Sequence, residues 1–425
     1  MGLRLLAVGD IHLGRRPSRL PGELANEAAE LSPASAWNRL VNLAIQEGVH
    51  AVVLAGDVVE REDDFYEAYR QLRSGVERLA GAGIQVIGVA GNHDVHVLPR
   101  LADQIADFQL LGRNGEWETA TLQNEGEQIT LHGWSFRQAQ VRRSPLDGVR
   151  LSRGVGLNLG LLHCDRDQPN SPYAPVTSRE LESAGLDGWM LGHIHAPDAL
   201  ALENPIGYLG CVSGMDSGEP GDHGPWLFSI EGGRIQSLEQ WVLAPLRWEV
   251  LELDLTDLSE PEEARSRLVQ QVRKLDEEIA AKTQPPEAVG LRVRFIGRTD
   301  YGREVGSLFH QDEHHIVYDG AANTRYFIER CLFEIRPEIA LEELAQRSDP
   351  PGLLARRLCL LSDPEQEEAR KMITGAREIL EKQRRDVRWQ ALDPAPIDDA
   401  AVVDWLRRSG TRLLEDMLNQ QERAM

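Results

Sequence analysis

Five short motifs place an aspartate, asparagine or histidine directly after an apolar run. They are Asp10-Ile11-His12 after Leu5 to Val8, Gly56-Asp57 after Ala51 to Leu54, Gly91-Asn92-His93-Asp94 after Ile84 to Ala90, His163 after Leu159 to Leu162, and Gly192-His193-Ile194-His195 after Met190-Leu191. Any one of them alone is ordinary turn chemistry. Together they offer carboxylates (Asp10, Asp57), an amide oxygen (Asn92) and imidazoles (His12, His163, His193, His195). That mixture suits Mn²⁺, Fe²⁺ or Zn²⁺ rather than Ca²⁺ or a thiolate site, with Mn²⁺ favoured. Asp10 and His12 are two residues apart, as are His193 and His195, so on extended strand ends each pair would project to one side. Asp57 has the two oxygens that a ligand shared between cations needs. Two divalent ions about 3.5 to 4 Å apart would lower the pKa of a bridging water, hold a phosphate oxygen and stabilise in-line displacement. His93 adjoins Asn92 but points differently, so it is expected to meet the phosphoryl group or protonate the leaving oxygen. Cys164 should point away from the ions.

Such a set needs a scaffold that ends several strands at one place. Residues 3–9, 51–55 and 84–90 read as buried strands. Pro33 to Glu47 reads as a helix with Trp37, Leu40, Val41, Ala44 and Ile45 on one face, and Glu62 to Ala82 as another with Phe65, Tyr69, Leu72, Val76 and Leu79 at helical spacing. This is a βαβαβ unit, whose ligands sit at the carboxyl ends of its strands. The pattern loosens between about 100 and 155, apart from a strand at Ile129 to Trp134 and an arginine-rich loop carrying Arg137, Arg142, Arg143, Arg150 and Arg153. Strands return at 156–162, 187–191, 205–209 and 226–230, with no long helix between them. The expected fold class is therefore α/β, a four-layer α/β/β/α sandwich of two stacked sheets with helices outside.

Leu243-Ala244-Pro245-Leu246 marks a boundary. The chain divides into a catalytic domain at 1–245, a small α+β module at 246–336, and helices at about 339–347, 352–361, 364–386 and 398–422, broken by Asp349-Pro350-Pro351 and Asp393-Pro394-Ala395-Pro396. The last helix carries Val402, Trp405, Leu406, Leu413, Leu414, Met417 and Leu418 largely on one side, a stripe for its own domain or for a partner. At 425 residues, two or three domains of about 150 residues are expected. A formal net charge of −22 argues against a protein that coats nucleic acid, though not against a nuclease whose cations and local arginines make a positive site. The four cysteines show no paired spacing, which fits reduced thiols. No apolar stretch approaches the roughly 20 residues that span a bilayer, and the N-terminus lacks a signal-peptide layout. A soluble, cytoplasmic protein with no membrane partner is expected.

The motif series D-x-H, G-D, G-N-H-D, H and G-H-x-H resembles the calcineurin-like metallophosphoesterase superfamily across roughly residues 5–230. Asp10-Ile-His12-Leu-Gly14, Leu161-Leu-His163 followed by Tyr173-Ala-Pro175, and Leu191-Gly-His-Ile-His195 followed by Glu219 and His223-Gly224 resemble its SbcD-type bacterial DNA exonuclease subunits, particularly the YhaO-like branch. The resemblance implies one metal on Asp10, His12, Asp57 and His195, a second on Asp57, Asn92, His163 and His193, and His93 as the catalytic histidine. It further implies that 246–336 caps the site and helps admit DNA. The C-terminal helices would dock on an SbcC-like coiled-coil ATPase, and a homodimer is compatible with it. Glu60 stands where archaeal and eukaryotic relatives have a histidine, which argues against a phosphate contact there. A DNA exonuclease or endonuclease subunit in DNA repair is the leading expectation. A phosphatase or small-molecule phosphodiesterase on the same core and a mainly architectural ATPase subunit are the alternatives.

Overall fold

Apolar strands alternating with amphipathic helices build a parallel sheet from the first hundred residues. In the computed structural model, which describes residues 2–337, 339–384 and 397–424, β1 (Leu3–Val8), β2 (Ala51–Ala55), β3 (Gln85–Val89) and β4 (Phe108–Leu110) lie parallel. The helices Pro33–Gln46, Phe65–Gly81 and Leu98–Gln104 make the crossovers. A second sheet has the order β5 (Glu118–Asn124), β6 (Glu127–Trp134), β7 (Leu157–His163), β8 (Gly188–Gly192) and β9 (Ile206–Tyr208). Then β10 (Trp226–Glu231) returns to the free edge of β1, antiparallel to it, and β11 (Arg234–Gln240) pairs antiparallel with β10.

Alternation along each strand decides what it faces. Leu3, Leu5 and Ala7 of β1 join Leu131, Leu159, Leu161 and Met190 in a core between the two sheets, whereas Leu6 and Val8 pack against Trp37, Leu40 and Leu72 of the helices. The fourth layer differs from expectation. The outer face of the second sheet, with Trp134, Phe136, Leu162 and Trp189, is covered by loops and one short helix, Ser178–Ser183. Its connections carry Pro145, Pro169, Pro172 and Pro175, which remove backbone donors where a longer helix would need them.

A third sheet has the order β12-β13-β15-β14, from β12 (Leu246–Asp254), β13 (Ala288–Ile296), β14 (Ile316–Asp319) and β15 (Arg325–Phe333). The helices Glu263–Ala280 and Gly302–Phe309 cover one face around Val272, Phe295, Phe309 and Tyr326. Glu329 of β15 is buried and receives Arg19 at 2.5 Å and Arg292 at 3.1 Å, and Arg292 also donates to Ser217. These contacts, with Arg325 on Glu27 and Arg247 on Asp222, tie the third sheet to the first two within one compact unit, Met1–Arg336.

Pro337–Met425 is a separate compact unit. Asp349 caps the helix Pro350–Leu360 by accepting from Gly352 N at 3.1 Å, with prolines in the first turn where no donor is missed. The helices Glu367–Arg384 and Asp399–Ala424 pack with it around Ala355, Leu358, Ile373, Val402 and Leu414. Residues 385–386 of the expected third helix and the break at 393–396 lie outside the described residues. The stripe on the last helix splits, since Val402 and Leu414 are buried while Trp405 and Leu413 are 45% and 49% exposed. No described helix is long and apolar enough to cross a membrane.

Candidate dinuclear metal centre

All five motifs sit at the carboxyl ends of β1, β2, β3, β7 and β8, on one rim of the stacked sheets. They do not get there by pleat. Asp10, His12, Asp57 and His193 have φ of 48°, 54°, 47° and 103°, so the chain leaves each strand through left-handed turns rather than extended ends. For residues with a Cβ such backbones cost roughly 1 to 3 kcal/mol and persist where the surroundings over-determine them. Asp10 and His12 still face one group, though from turns rather than an extended strand, whereas the expectation that His193 and His195 project together is corrected. His193 and His195 diverge, and the donors gather into Asp10, His12 and His195 on one side and Asp57, His163 and His193 on the other. Asn92 joins the second group, its Oδ1 lying 3.0 Å from His163 Nε2.

The hydrogen-bond roles within these groups leave acceptors facing one another unless a proton or a cation lies between them. His163 Nδ1 lies 3.0 Å from the Ala55 carbonyl, which can only accept, so Nδ1 carries a hydrogen. The other nitrogen, Nε2, then aims its lone pair at two oxygens, Asn92 Oδ1 at 3.0 Å and Asp57 Oδ2 at 3.2 Å. His195 likewise gives Nδ1–H to Glu219 Oε1 at 2.6 Å, and His12 Nδ1 faces Glu60 Oε2 at 2.7 Å. Their Nε2 atoms meet at 3.1 Å, which with both outer nitrogens protonated would set acceptor against acceptor. Such sites are reconciled by a proton or a metal ion, and mixed imidazole, carboxylate and amide donors with their outer imidazole nitrogens already tied down fit a divalent ion.

Proton binding points the same way. Burial by itself would lower the pKa of His163, but the Asp57 and Asp10 carboxylates raise it to about 9. Burial works against the Asp57 charge, yet His163, His12 and His93 hold its carboxyl well below the usual range. His193 is lowered by burial and by His163. His163 must shed its proton to become a ligand, so Mn²⁺ loading of the metal-free chain at pH 7 is expected to acidify a weakly buffered solution, and affinity to rise up to about pH 9. A pH-electrode titration checks this, and Mn²⁺ uptake without proton release would contradict it. The sign for stability is opposite. His163 is raised above its ordinary 6.5, so its pairing stabilises the metal-free fold below that pH and is lost as pH climbs through about 9.

Asp94 holds the turns in register. Its Oδ1 accepts from Gly91 N at 2.8 Å and its Oδ2 from Val58 N at 2.7 Å, joining the Asn92 turn to the Asp57 turn. Gly91 lies so close to the Asp57 carboxylate that any Cβ there would collide with it. His93 N donates to Asp57 Oδ1 at 2.9 Å, and its exposed ring places Nδ1 3.2 Å from the Glu60 carbonyl. His193 Nε2 is 3.3 Å from Asp165, a carboxylate absent from the sequence-derived donor set. No motif spacing marks Asp165, and only the fold brings it beside His193. Cys164 is buried away from the donors among Trp134, Leu162 and Trp189.

A model of the calcineurin-like phosphoesterase family matches residues 3–197. The match covers less than half of the chain. The chain resembles the uncharacterized metallophosphoesterase YhaO of Bacillus subtilis (strain 168), at 27% identity over 279 residues, 60% of this chain and 64% of that protein. The DNA double-strand break repair protein Mre11 of Methanopyrus kandleri is 23% identical over 212 residues, 46% of this chain and 45% of that one. The chain thus spans less than two thirds of the length of either curated relative. Among solved structures, a dimetal phosphatase from Danio rerio aligns with a TM-score of 0.34 at 12% identity, over 54% of this chain and 93% of that one. The calcineurin-like phosphoesterase YfkN from Bacillus subtilis aligns at 0.36 and 15%, over 56% and 90%.

Proposed function

We propose that this chain is a dinuclear metal-dependent phosphodiesterase acting on DNA, a nuclease subunit that works with a coiled-coil ATPase. The observation that carries the phosphodiesterase reading is the convergence of two donor sets, with inner lone pairs opposed, beside one exposed histidine. Asp10, His12, Asp57 and His195 would hold one ion, and Asp57, Asn92, His163 and His193 the other. When bound, the pair supplies Lewis-acid polarisation of a phosphoryl oxygen and lowers the pKa of water. The chain's own part falls to His93. Because the Glu60 carbonyl fixes the hydrogen on Nδ1, Nε2 is the nitrogen left to exchange a proton with solvent-side substrate. Asp57 holds the His93 backbone, so the proton donor and the metal ligands move as one.

DNA as substrate is supported by the likeness to Mre11 and to a YhaO-type chain, and by exposed Arg16, Arg137, Arg143 and Arg150. Arg19 and Arg153 are instead engaged internally, Arg19 with Glu329 and Arg153 with Asp187 at 2.6 Å. Leu353, Ile379, Trp405 and Leu413, all exposed on the C-terminal helices, would give an ATPase apolar anchors.

The purified chain with Mn²⁺ is to be offered labelled linear duplex DNA, bis(p-nitrophenyl) phosphate and p-nitrophenyl phosphate. Both diesters should be cleaved and the monoester spared. DNA binding should weaken several-fold or more between about 50 and 200 mM salt, since it rests on a few neutralised phosphates. Dominant monoester hydrolysis, with DNA intact even beside a co-purified ATPase, would establish a phosphatase instead.

A further inference from the structure

Glu60 occupies the fourth position of the stretch that begins with Asp57 after Gly56; it lies outside the two donor sets, in a third cluster with His12 and His93. Its side chain is 12% exposed and turns inward, with Oε2 2.7 Å from Nδ1 of the buried His12. The contact is an ion-pair distance rather than a well-aligned hydrogen bond, and neither atom has a hydrogen-bond partner among the described residues. Its carbonyl lies 3.2 Å from His93 Nδ1, and its amide donates to the Leu13 carbonyl at 3.0 Å, which anchors it to the chain just after His12. One residue therefore touches the outer nitrogen of a candidate ligand with its side chain and that of the candidate proton donor with its backbone.

We propose that Glu60 is a positioning residue that acts through His12: it fixes the hydrogen on Nδ1, aims Nε2 into the site, and so sets how tightly the ion beside Asp10 is held. The inference rests on the dimetal reading of the centre. An imidazole has two usable nitrogens, and an unassisted neutral ring populates both tautomers. A carboxylate that accepts from one nitrogen selects the tautomer and makes the other a stronger donor to a cation. Glu219 does the same for His195, but it also accepts from Met215 N at 2.7 Å. Glu60 Oε2 faces His12 Nδ1 and neither atom is hydrogen-bonded elsewhere among the described residues, so its removal leaves that buried nitrogen facing no carboxylate. The contact turns the carboxylate toward the ring behind the ligand.

The test uses Mn²⁺ alone, followed by calorimetry and by electron paramagnetic resonance of free Mn²⁺, on the full chain. Wild type should bind two ions. Glu60→Ala should bind one of them about 10- to 100-fold more weakly, the usual effect of losing such a partner, while Glu60→Gln, whose amide oxygen still accepts from Nδ1, should recover most of the affinity. ¹⁵N NMR of the metal-free wild type at alkaline pH should show His12 protonated on Nδ1, a readout that holds even if Glu60→Ala fails to fold. Two ions bound equally well by wild type and Glu60→Ala, Glu60→Gln no better than alanine, or a His12 hydrogen on Nε2 would overturn the role of Glu60. Wild type that binds no Mn²⁺ would overturn the dimetal reading along with it.

Discussion

Asp57→Ala is expected to abolish metal loading and phosphodiester turnover together, turnover falling by more than about 10² to 10³-fold. The side chain serves several neighbours from one buried position. It lies 3.2 Å from His163 Nε2, accepts from His93 N at 2.9 Å, and is the anion that keeps His163 protonated in the metal-free chain. Alanine would leave His163 facing Asn92 without its counter-charge and free the backbone beneath the proton donor. Elemental analysis of the folded variant should find well under two ions per chain, with circular dichroism unchanged because the strands beneath owe their packing to Val53, Leu54 and Ala55. A variant that carried two ions and worked at near wild-type rate would remove Asp57 from the centre altogether.

His93→Ala should behave in the opposite way toward metal. Its ring is exposed and packs edge-on against His12 at 5.2 Å between centroids, on the open side of the donors. Both ions should therefore load as in wild type while DNA cleavage drops by about 10² to 10⁴-fold, the usual worth of a positioned general acid. The leaving group separates the two roles open to this histidine. A p-nitrophenolate needs no proton to depart, so a residue that protonates the leaving oxygen should be missed far less with bis(p-nitrophenyl) phosphate than with DNA. Equal losses on both substrates would favour a contact to the phosphoryl oxygens, and loss of an ion would make His93 a ligand rather than an acid.

The donors are legible in the sequence because each is an aspartate, asparagine or histidine stranded at the end of an apolar run, a pattern that chemistry rather than packing demands. The physical reason for their convergence is not, since left-handed turns at Asp10, His12, Asp57 and His193 replace the extended geometry that spacing suggests. Carboxylates that steady the imidazoles or the turns are less visible still. Asp165 looks like any loop residue, and Asp94 shows its function only once the Asp57 and Asn92 turns lie side by side. In the fold, β5 and β11 leave little mark on the sequence because they are half-exposed strands with few apolar residues. Their turns are nonetheless readable: β10 and β11 are joined by Gly232-Gly233, both with positive φ, as tight hairpins prefer. The turn between β5 and β6 uses Glu125-Gly126, a less telling pair.

Glu329 gives the third sheet a particular kind of dependence on its neighbours. It sits buried between Arg19, which lies just beyond the first metal motif, and Arg292, which reaches Ser217 two residues before the carboxylate behind His195. A buried acid held by two arginines is strongly disfavoured once either is removed. Grafting β12–β15 onto another phosphoesterase would thus require importing Arg19 and the Ser217 loop as well, and a chimera lacking them would leave the buried carboxylate with Arg292 alone at its seam.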